Sequence, residues 1–189
     1  METINNNNDG YLELIIGPMF SGKTSRLIEI YNKFSTNFSV LVLNHCLDNR
    51  YHESHLSTHN KKMIPCIQLD SLLKILNNDN YKNSKIILIN EGQFFNDLKD
   101  VVLEMVEKDK KTVYVCGLDS DFKRNNFGYI LDLIPYSDNI VKLKALCKNG
   151  DCNKDALFSY RKNNTSKNQI LVGSDEYIPL CRNCYIKTT

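Results

Sequence analysis

Short apolar runs alternate with stretches of helical periodicity along most of the chain. The run Leu12-Glu13-Leu14-Ile15-Ile16 reads as a buried strand, and Val40 to Leu43, Ile86 to Ile89 and Val113 to Cys116 repeat the type. Ile140-Val141-Lys142-Leu143 is a more mixed run. Between these runs lie helical patterns. Leu27, Ile28, Tyr31 and Phe34 share one face, and a helix is predicted near Leu69 to Leu76. Leu98, Val101, Val102, Met105 and Val106 follow the i, i+3, i+4, i+7, i+8 pattern of an amphipathic helix. Alternating strands and helices predict an α/β fold, a parallel sheet with helices on both faces. Ligands on such sheets sit at the carboxyl ends of the strands.

The texture changes after Leu146, where cysteine, Asn and Lys replace the apolar runs. Only short strand-like pieces remain, at Ala156 to Tyr160 and Gln169 to Val172. The division predicted is a disordered polar tail over 1–10, an α/β domain over 11–144 and a small domain over 145–189. The Asn-rich start has neither the basic opening nor the apolar stretch of a secretory signal. No run of about eighteen apolar residues is present, so no membrane span is expected.

The turn after the first strand carries chemistry. Gly17-Pro18-Met19-Phe20-Ser21-Gly22-Lys23-Thr24 is G-x-x-x-x-G-K-T, a P-loop, and it sits between a strand and a helix as that motif requires. Its glycines let backbone N–H groups close around phosphate oxygens, and the helix offers its positive end to the same anion. Lys23 is expected to reach the β- and γ-phosphates, and the Thr24 hydroxyl to ligate Mg²⁺. The motif specifies a nucleoside triphosphate such as ATP. It does not specify what receives the phosphate.

The strand Ile86 to Ile89 ends in Asn90-Glu91-Gly92-Gln93-Phe94-Phe95. An apolar strand ending in acidic residues is the Walker B arrangement, which holds Mg²⁺ directly or through water. Here Asn90 takes the first position, keeping an acceptor oxygen without the charge. Glu91 beside it is placed to accept the proton of an attacking hydroxyl. Its bland alternative is a cap on the next turn.

The chain of 189 residues has a net charge of +2, too weak to argue for nucleic acid as a partner. Seven cysteines without a signal peptide suggest a reducing, cytoplasmic setting, in which clustered cysteines bind metal more often than they pair. Cys147-x4-Cys152 and Cys181-x2-Cys184 have the spacing of a structural Zn²⁺ ribbon, with Lys148-Asn149-Gly150-Asp151 as its first knuckle. Four thiolates leave no open coordination position, so the role is structural. Cys46, Cys66 and Cys116 read as ordinary buried small residues. His45, His52, His55 and His59 fall in one polar stretch that reads as a solvated loop. Asp48 and Arg50 in that stretch read, from spacing alone, as a surface ion pair.

Taken together, Met19-Phe20-Ser21 inside the P-loop, Glu91-Gly92-Gln93-Phe94-Phe95 and the four-cysteine ribbon resemble the cytosolic type (type II) of thymidine kinase. Asp48-Asn49-Arg50-Tyr51, Gly117 to Phe122, Phe127-Gly128, Val141-Lys142-Leu143 and Gly173 to Tyr177 extend the resemblance from about Leu12 to Lys187. It implies transfer of the ATP γ-phosphate to the 5′-hydroxyl of thymidine or deoxyuridine, with Mg²⁺, giving dTMP in nucleotide salvage. Glu91 matches the family's general base, and Asp48 and Arg50 match a pair near the transferring phosphate, where Arg50 would balance charge. The thymine pocket would be lined by Met19, Leu118, Phe122, Ser159 and Tyr177, with Phe122 stacked on the pyrimidine. Phe94 and Phe127 would close the sugar side. Backbone groups from Val172 and Gly173 to Tyr177 would pair with the base edge, on a loop held by the zinc ribbon; Arg161 matches a position nearby. The resemblance also implies a homotetramer and feedback by thymidine triphosphate.

Three departures stand out. Asn90 replaces the family's Asp, a loss that at a metal's outer shell costs about 10- to 100-fold and predicts a weakened enzyme. The first cysteine pair has two more intervening residues than the family norm, and Ser159 stands where Thr is common. Two rival readings follow. Asn90 alone favours an impaired nucleotide-binding homologue with a regulatory or sensor role. A P-loop ATPase with a nucleic-acid-binding ribbon would need a basic, aromatic-rich face, which the composition lacks.

Overall fold

Strands whose residues are apolar on both faces can only sit inside a sheet covered on both sides. The computed structural model has that arrangement; it describes residues 9–48, 55–57, 63–162, 169 and 176–188. In chain order the first elements are β1 (Tyr11–Ile16), α1 (Lys23–Phe34) and β2 (Val40–His45). An antiparallel pair follows, β3 (His55–Ser57) and β4 (Met63–Pro65), then β5 (Ile67–Leu69) and α2 (Asp79–Asn83). Next come β6 (Ile86–Asn90), α3 (Leu98–Leu103), β7 (Thr112–Gly117) and β8 (Asn139–Lys142). The chain ends in β9 (Ala145–Leu146), β10 (Asp155–Ala156), β11 (Phe158–Arg161), β12 (Tyr177–Leu180) and α4 (Arg182–Thr188).

Six strands form one parallel sheet in the order β5-β2-β6-β7-β1-β8. All residues of β6 and β7 are buried. The two faces divide by alternation. Leu12, Leu14, Ile87, Ile89, Val113 and Val115 meet Leu98, Val101, Val102 and Met105 of the α3 region on one side. Ile15, Val42, Leu88, Tyr114 and Cys116 meet Leu27, Ile28, Ile30 and Phe34 of α1 on the other. At about 25 cal/mol per Å² of apolar area removed from water, these two clusters supply the dominant drive to fold. The helix carrying Met105 and Val106 ends in a π turn over Glu104–Lys108, closed by the Asp109 N–H on the Glu104 carbonyl at 3.1 Å.

A third cluster gathers Ala145, Cys147, Ala156, Leu180, Cys181 and Tyr185. Short antiparallel pairs, β9 with β10 and β11 with β12, frame it. The helix predicted near Leu69 to Leu76 is instead β5 followed by a single 3-10 turn, Leu72–Ile75. The cause is a distant carboxylate: Asp97 accepts the Ser71 hydroxyl at 2.6 Å and the Leu73 N–H at 2.9 Å, which pins the turn. The expected piece at Gln169 to Val172 lies, apart from Gln169, outside the described residues.

Because every strand of the main sheet runs the same way, Ile16, His45, Asn90, Gly117 and Lys142 end at one edge. β7 lies between the strand that precedes the P-loop and the strand that ends in Asn90.

Candidate active site

The loop from β1 to α1 is built to hold an anion. Gly17 has φ +151°, and a Cβ there would stand 2.5 Å from the Leu143 carbonyl oxygen, so only glycine allows the approach. Gly22 is left-handed at φ 83° and caps α1 without any side-chain hydrogen bond. No acidic residue occupies the first turn. Neither a side-chain cap nor an acidic residue therefore competes with a phosphate for the first turn of the helix. Phe20 is also left-handed (φ 64°) and 42% exposed, a backbone cost of about 1–3 kcal/mol that functional loops commonly carry.

Lys23 is buried and its ammonium donates to the Pro18 carbonyl at 2.7 Å, across the loop it belongs to. Thr24 is half-buried beside it. The Ser21 hydroxyl is buried with no hydrogen-bond partner among the described residues. An unpaired buried hydroxyl costs about 1–3 kcal/mol, and an oxygen-rich ligand in the loop would relieve that cost. The donor set thus fits a triphosphate with Mg²⁺, for which Thr24 and Asn90 offer hard oxygen ligands.

Glu91 follows β6 in a left-handed conformation, φ 53°. Its carboxylate has a partner two residues further on. Gln93, which the sequence reading passed over, holds it: the Gln93 amide donates to the Glu91 carboxylate at 2.6 Å, and its oxygen accepts the Leu118 N–H at 2.9 Å. Gln93 is 3% exposed. The bridge needs Gly117, where a Cβ would lie 2.4 Å from the Gln93 side-chain oxygen. One side chain thus ties the end of β6 to the end of β7.

At the end of β2 the structure differs from the expected solvated loop. His45 is the last strand residue and is buried, edge-on to Phe95 at 4.7 Å and tilted against Phe94 at 5.5 Å. Its Nδ1 accepts the Leu47 N–H at 3.1 Å. Burial lowers its pKa, against the opposing pull of Asp70, Asp97 and Glu91. The signal was present in the sequence: Leu41, Leu43 and His45 alternate onto one strand face. His55 opens β3, while His52 and His59 lie outside the described residues. Cys116 is buried as expected, Cys66 is half-buried, and Cys46 is exposed, contrary to expectation. Burial, and then the charge of Asp48, push the Cys66 thiol up to about 11.

The residues expected around the base fall into linked sets. Phe94 and Phe127 meet edge to face at 5.5 Å. Phe122 is buried under the Arg161 guanidinium, 3.7 Å from its ring centroid. Arg161 is fully buried and donates to the Tyr177 hydroxyl at 2.7 Å. Leu118 is held by Gln93, and the Ser159 hydroxyl accepts the Met19 N–H at 2.9 Å. Asp48 is reached by the Asn44 amide at 3.3 Å. Arg50, Val172 and Gly173 lie outside the described residues.

The four late cysteines converge. The sulfurs of Cys147, Cys152, Cys181 and Cys184 lie within 4.8 Å of one another, and none is in a disulfide. Cys152 and Cys181 are 3.8 Å apart, matching the edge of about 3.8 Å for a tetrahedron with Zn–S bonds near 2.3 Å. The long first knuckle closes through the Cys152 N–H on the Asn149 carbonyl at 3.1 Å, with Gly150 at φ 53°. The Cys184 backbone N–H lowers the Cys181 thiol to about 7, while the Cys184 thiol itself is raised to about 11. This cluster can hold a structural metal such as zinc. Among the described residues no helix is long and apolar enough to cross a membrane.

A P-loop on β1, an acidic strand end on β6 and one strand between them define a P-loop α/β protein, here with an appended four-cysteine site. The family model described as Thymidine kinase matches residues 10–185, and the chain belongs to that family. It is 37% identical over 182 residues to a thymidine kinase of Oryza sativa subsp. japonica, covering 94% of this chain and 66% of the relative, just under two thirds. It is 39% identical over 181 residues to thymidine kinase a of Arabidopsis thaliana, covering 94% and 75%. With a thymidine kinase of Variola virus it shares 38% identity over 180 residues, covering 95% of this chain and 98% of the relative.

Proposed function

We propose that this chain is an ATP-dependent thymidine kinase that makes dTMP for nucleotide salvage. The observation that carries the reading is the pairing, at one sheet edge, of an uncapped P-loop helix with Glu91 held by Gln93. In the proposed reaction, backbone N–H groups of the P-loop beyond Met19 cradle the triphosphate and Lys23 turns from Pro18 to the β- and γ-phosphates. Thr24 and Asn90 would hold Mg²⁺, which would supply charge neutralisation on the phosphate oxygens. Glu91 takes the proton of the thymidine 5′-hydroxyl. The oxygen bonds to the γ-phosphorus as the bond to the β,γ-bridging oxygen breaks, and ADP leaves. Arg50 offsets charge on the equatorial oxygens, and Asp48 lies beside the transferring group.

Met19, Leu118, Phe122, Ser159 and Tyr177 surround the thymine, Phe94 and Phe127 the sugar, and backbone groups near Val172 and Gly173 the base edge. Zn²⁺ on the four cysteines is structural. The protein works in the cytoplasm as a homotetramer, without nucleic acid or membrane as partners. The similarity to thymidine kinases over nearly the whole chain supports this substrate choice. The test is transfer of labelled γ-phosphate from ATP to thymidine with Mg²⁺. Lys23→Ala should abolish it, and Glu91→Gln should lower kcat far more than ATP affinity. A chain that binds ATP but never phosphorylates thymidine would sink the reading.

A further inference from the structure

Asn44 and Asn90 sit directly opposite each other on β2 and β6 and are 2% and 1% exposed. The Asn90 amide donates to the Asn44 side-chain oxygen at 2.9 Å, and the Asn44 amide donates to the Asp48 carboxylate at 3.3 Å. The direction of this chain is fixed by its end. A carboxylate accepts and does not donate, so Asn44 must turn its NH₂ toward Asp48. Its oxygen then faces residue 90, which must supply a donor. Asparagine supplies one and aspartate does not.

We propose that Asn44 is a positioning residue for Asp48, and that the carboxamide of Asn90 is the donor that completes this relay. The departure at Asn90 is then a requirement of this chain, matched to Asn44, not a simple loss of a metal-side carboxylate. With Asp at 90, either two acceptors face each other, or Asn44 flips and turns its oxygen on Asp48. Both arrangements cost a buried contact. The proposal rests on the reading of Asp48 as a group beside the transferring phosphate.

Asn44→Leu keeps the volume and removes the relay. Asn90→Asp removes the donor and also puts a charged oxygen on the Mg²⁺ side, so it is read against the double variant, which carries the same oxygen. The double variant Asn44→Lys with Asn90→Asp places a donor-only ammonium between two carboxylates, so a donor again faces both position 90 and Asp48. Steady-state transfer from ATP to thymidine should show kcat lowered about 10-fold or more in Asn44→Leu relative to the starting chain, and in Asn90→Asp relative to the double variant. The double variant should recover to within about 3-fold of the starting chain. An Asn90→Asp variant as fast as the double variant, or an Asn44→Leu variant with unchanged kcat, would overturn the proposal. Should Asn44→Leu not fold, the comparison of Asn90→Asp with the double variant decides alone.

A second readout does not depend on turnover. In ¹⁵N-labelled protein the Asn44 side-chain NH₂ signals should move on Asp48→Ala. No movement overturns the relay even in an active enzyme. If the starting chain transfers no phosphate while those signals do move, the kinase reading falls and the relay stands.

Discussion

The hydroxyl of Ser159 accepts the backbone N–H of Met19 at 2.9 Å, joining β11 to the P-loop across 140 residues of chain. The resemblance to thymidine kinases implies a place for Ser159 in the thymine pocket. Its hydrogen bond adds a second duty, because a phosphate cradle works only if its backbone is held in shape. Ser159→Ala should leave Met19 without this acceptor, at a cost of about 1 kcal/mol. The expected result is a rise of about 5-fold in the KM for ATP, for thymidine or for both. Ser159→Thr keeps the oxygen and should remain near the starting values. Equal behaviour of the two variants would show that the hydroxyl does not shape the loop.

Gln93 is expected to control the rate. Its amide reaches the Glu91 carboxylate at 2.6 Å while its oxygen holds Leu118. Gln93→Leu keeps the bulk and removes both bonds. A hydrogen bond to a charged group is worth about 1.5–3 kcal/mol, so kcat should fall about 10- to 100-fold. ATP affinity, measured by equilibrium binding, should hold. A variant that binds ATP weakly but turns over normally would place Gln93 in the nucleotide site instead.

The four-cysteine site should act on the base pocket through Tyr185. This residue follows Cys184 on α4, and its hydroxyl donates to the Phe122 carbonyl at 2.6 Å. Tyr185→Phe removes that bond but no metal ligand. The expected outcome is unchanged zinc content with a few-fold higher KM for thymidine, consistent with about 1 kcal/mol. Cys181→Ser should do more, losing metal and thymidine affinity together, since an open site frees both α4 and β12. Normal thymidine binding in a zinc-free protein would break the link.

Much of this architecture is legible in the sequence, for a physical reason. β1, β6 and β7 are buried on both faces, so their composition alone marks them. The P-loop and the cysteine pairs carry their chemistry in local spacing. What stays hidden depends on distant partners. The turn at Leu72–Ile75 is set by Asp97, and no local pattern announces that. β3, β4, β9 and β10 are two or three residues long and exist only through their pairing. The role of Gln93 depends on Leu118, which its own segment does not reveal. His45 stands at the border between the apolar strand and the polar stretch that follows it, and only its neighbours in space, Phe94 and Phe95, show which side it belongs to.

His45 makes stability depend on pH in a defined window. Burial disfavours the imidazolium, so the folded pKa lies below the ordinary 6.5. The unfolded chain therefore binds a proton more readily, and stability rises with pH wherever the two states differ in occupancy. The contribution of the neutral ring is complete above about pH 6.5 and is lost as pH falls from there through the lower folded value. Asp70 and Asp97 have pKa values below their usual 3.8, Asp70 chiefly through Lys74 and Asp97 through hydrogen bonds from Ser71 and Leu73 that outweigh its burial. Their contribution is lost only as pH falls from that usual value through their lower folded values, below the histidine window. Melting curves between pH 5 and 7.5 should show Tm falling toward the acid side. His45→Phe keeps an aromatic ring against Phe94 and Phe95 and removes the titration, so its Tm should vary less over the same range. A parallel slope in both proteins would assign the acid sensitivity to another group.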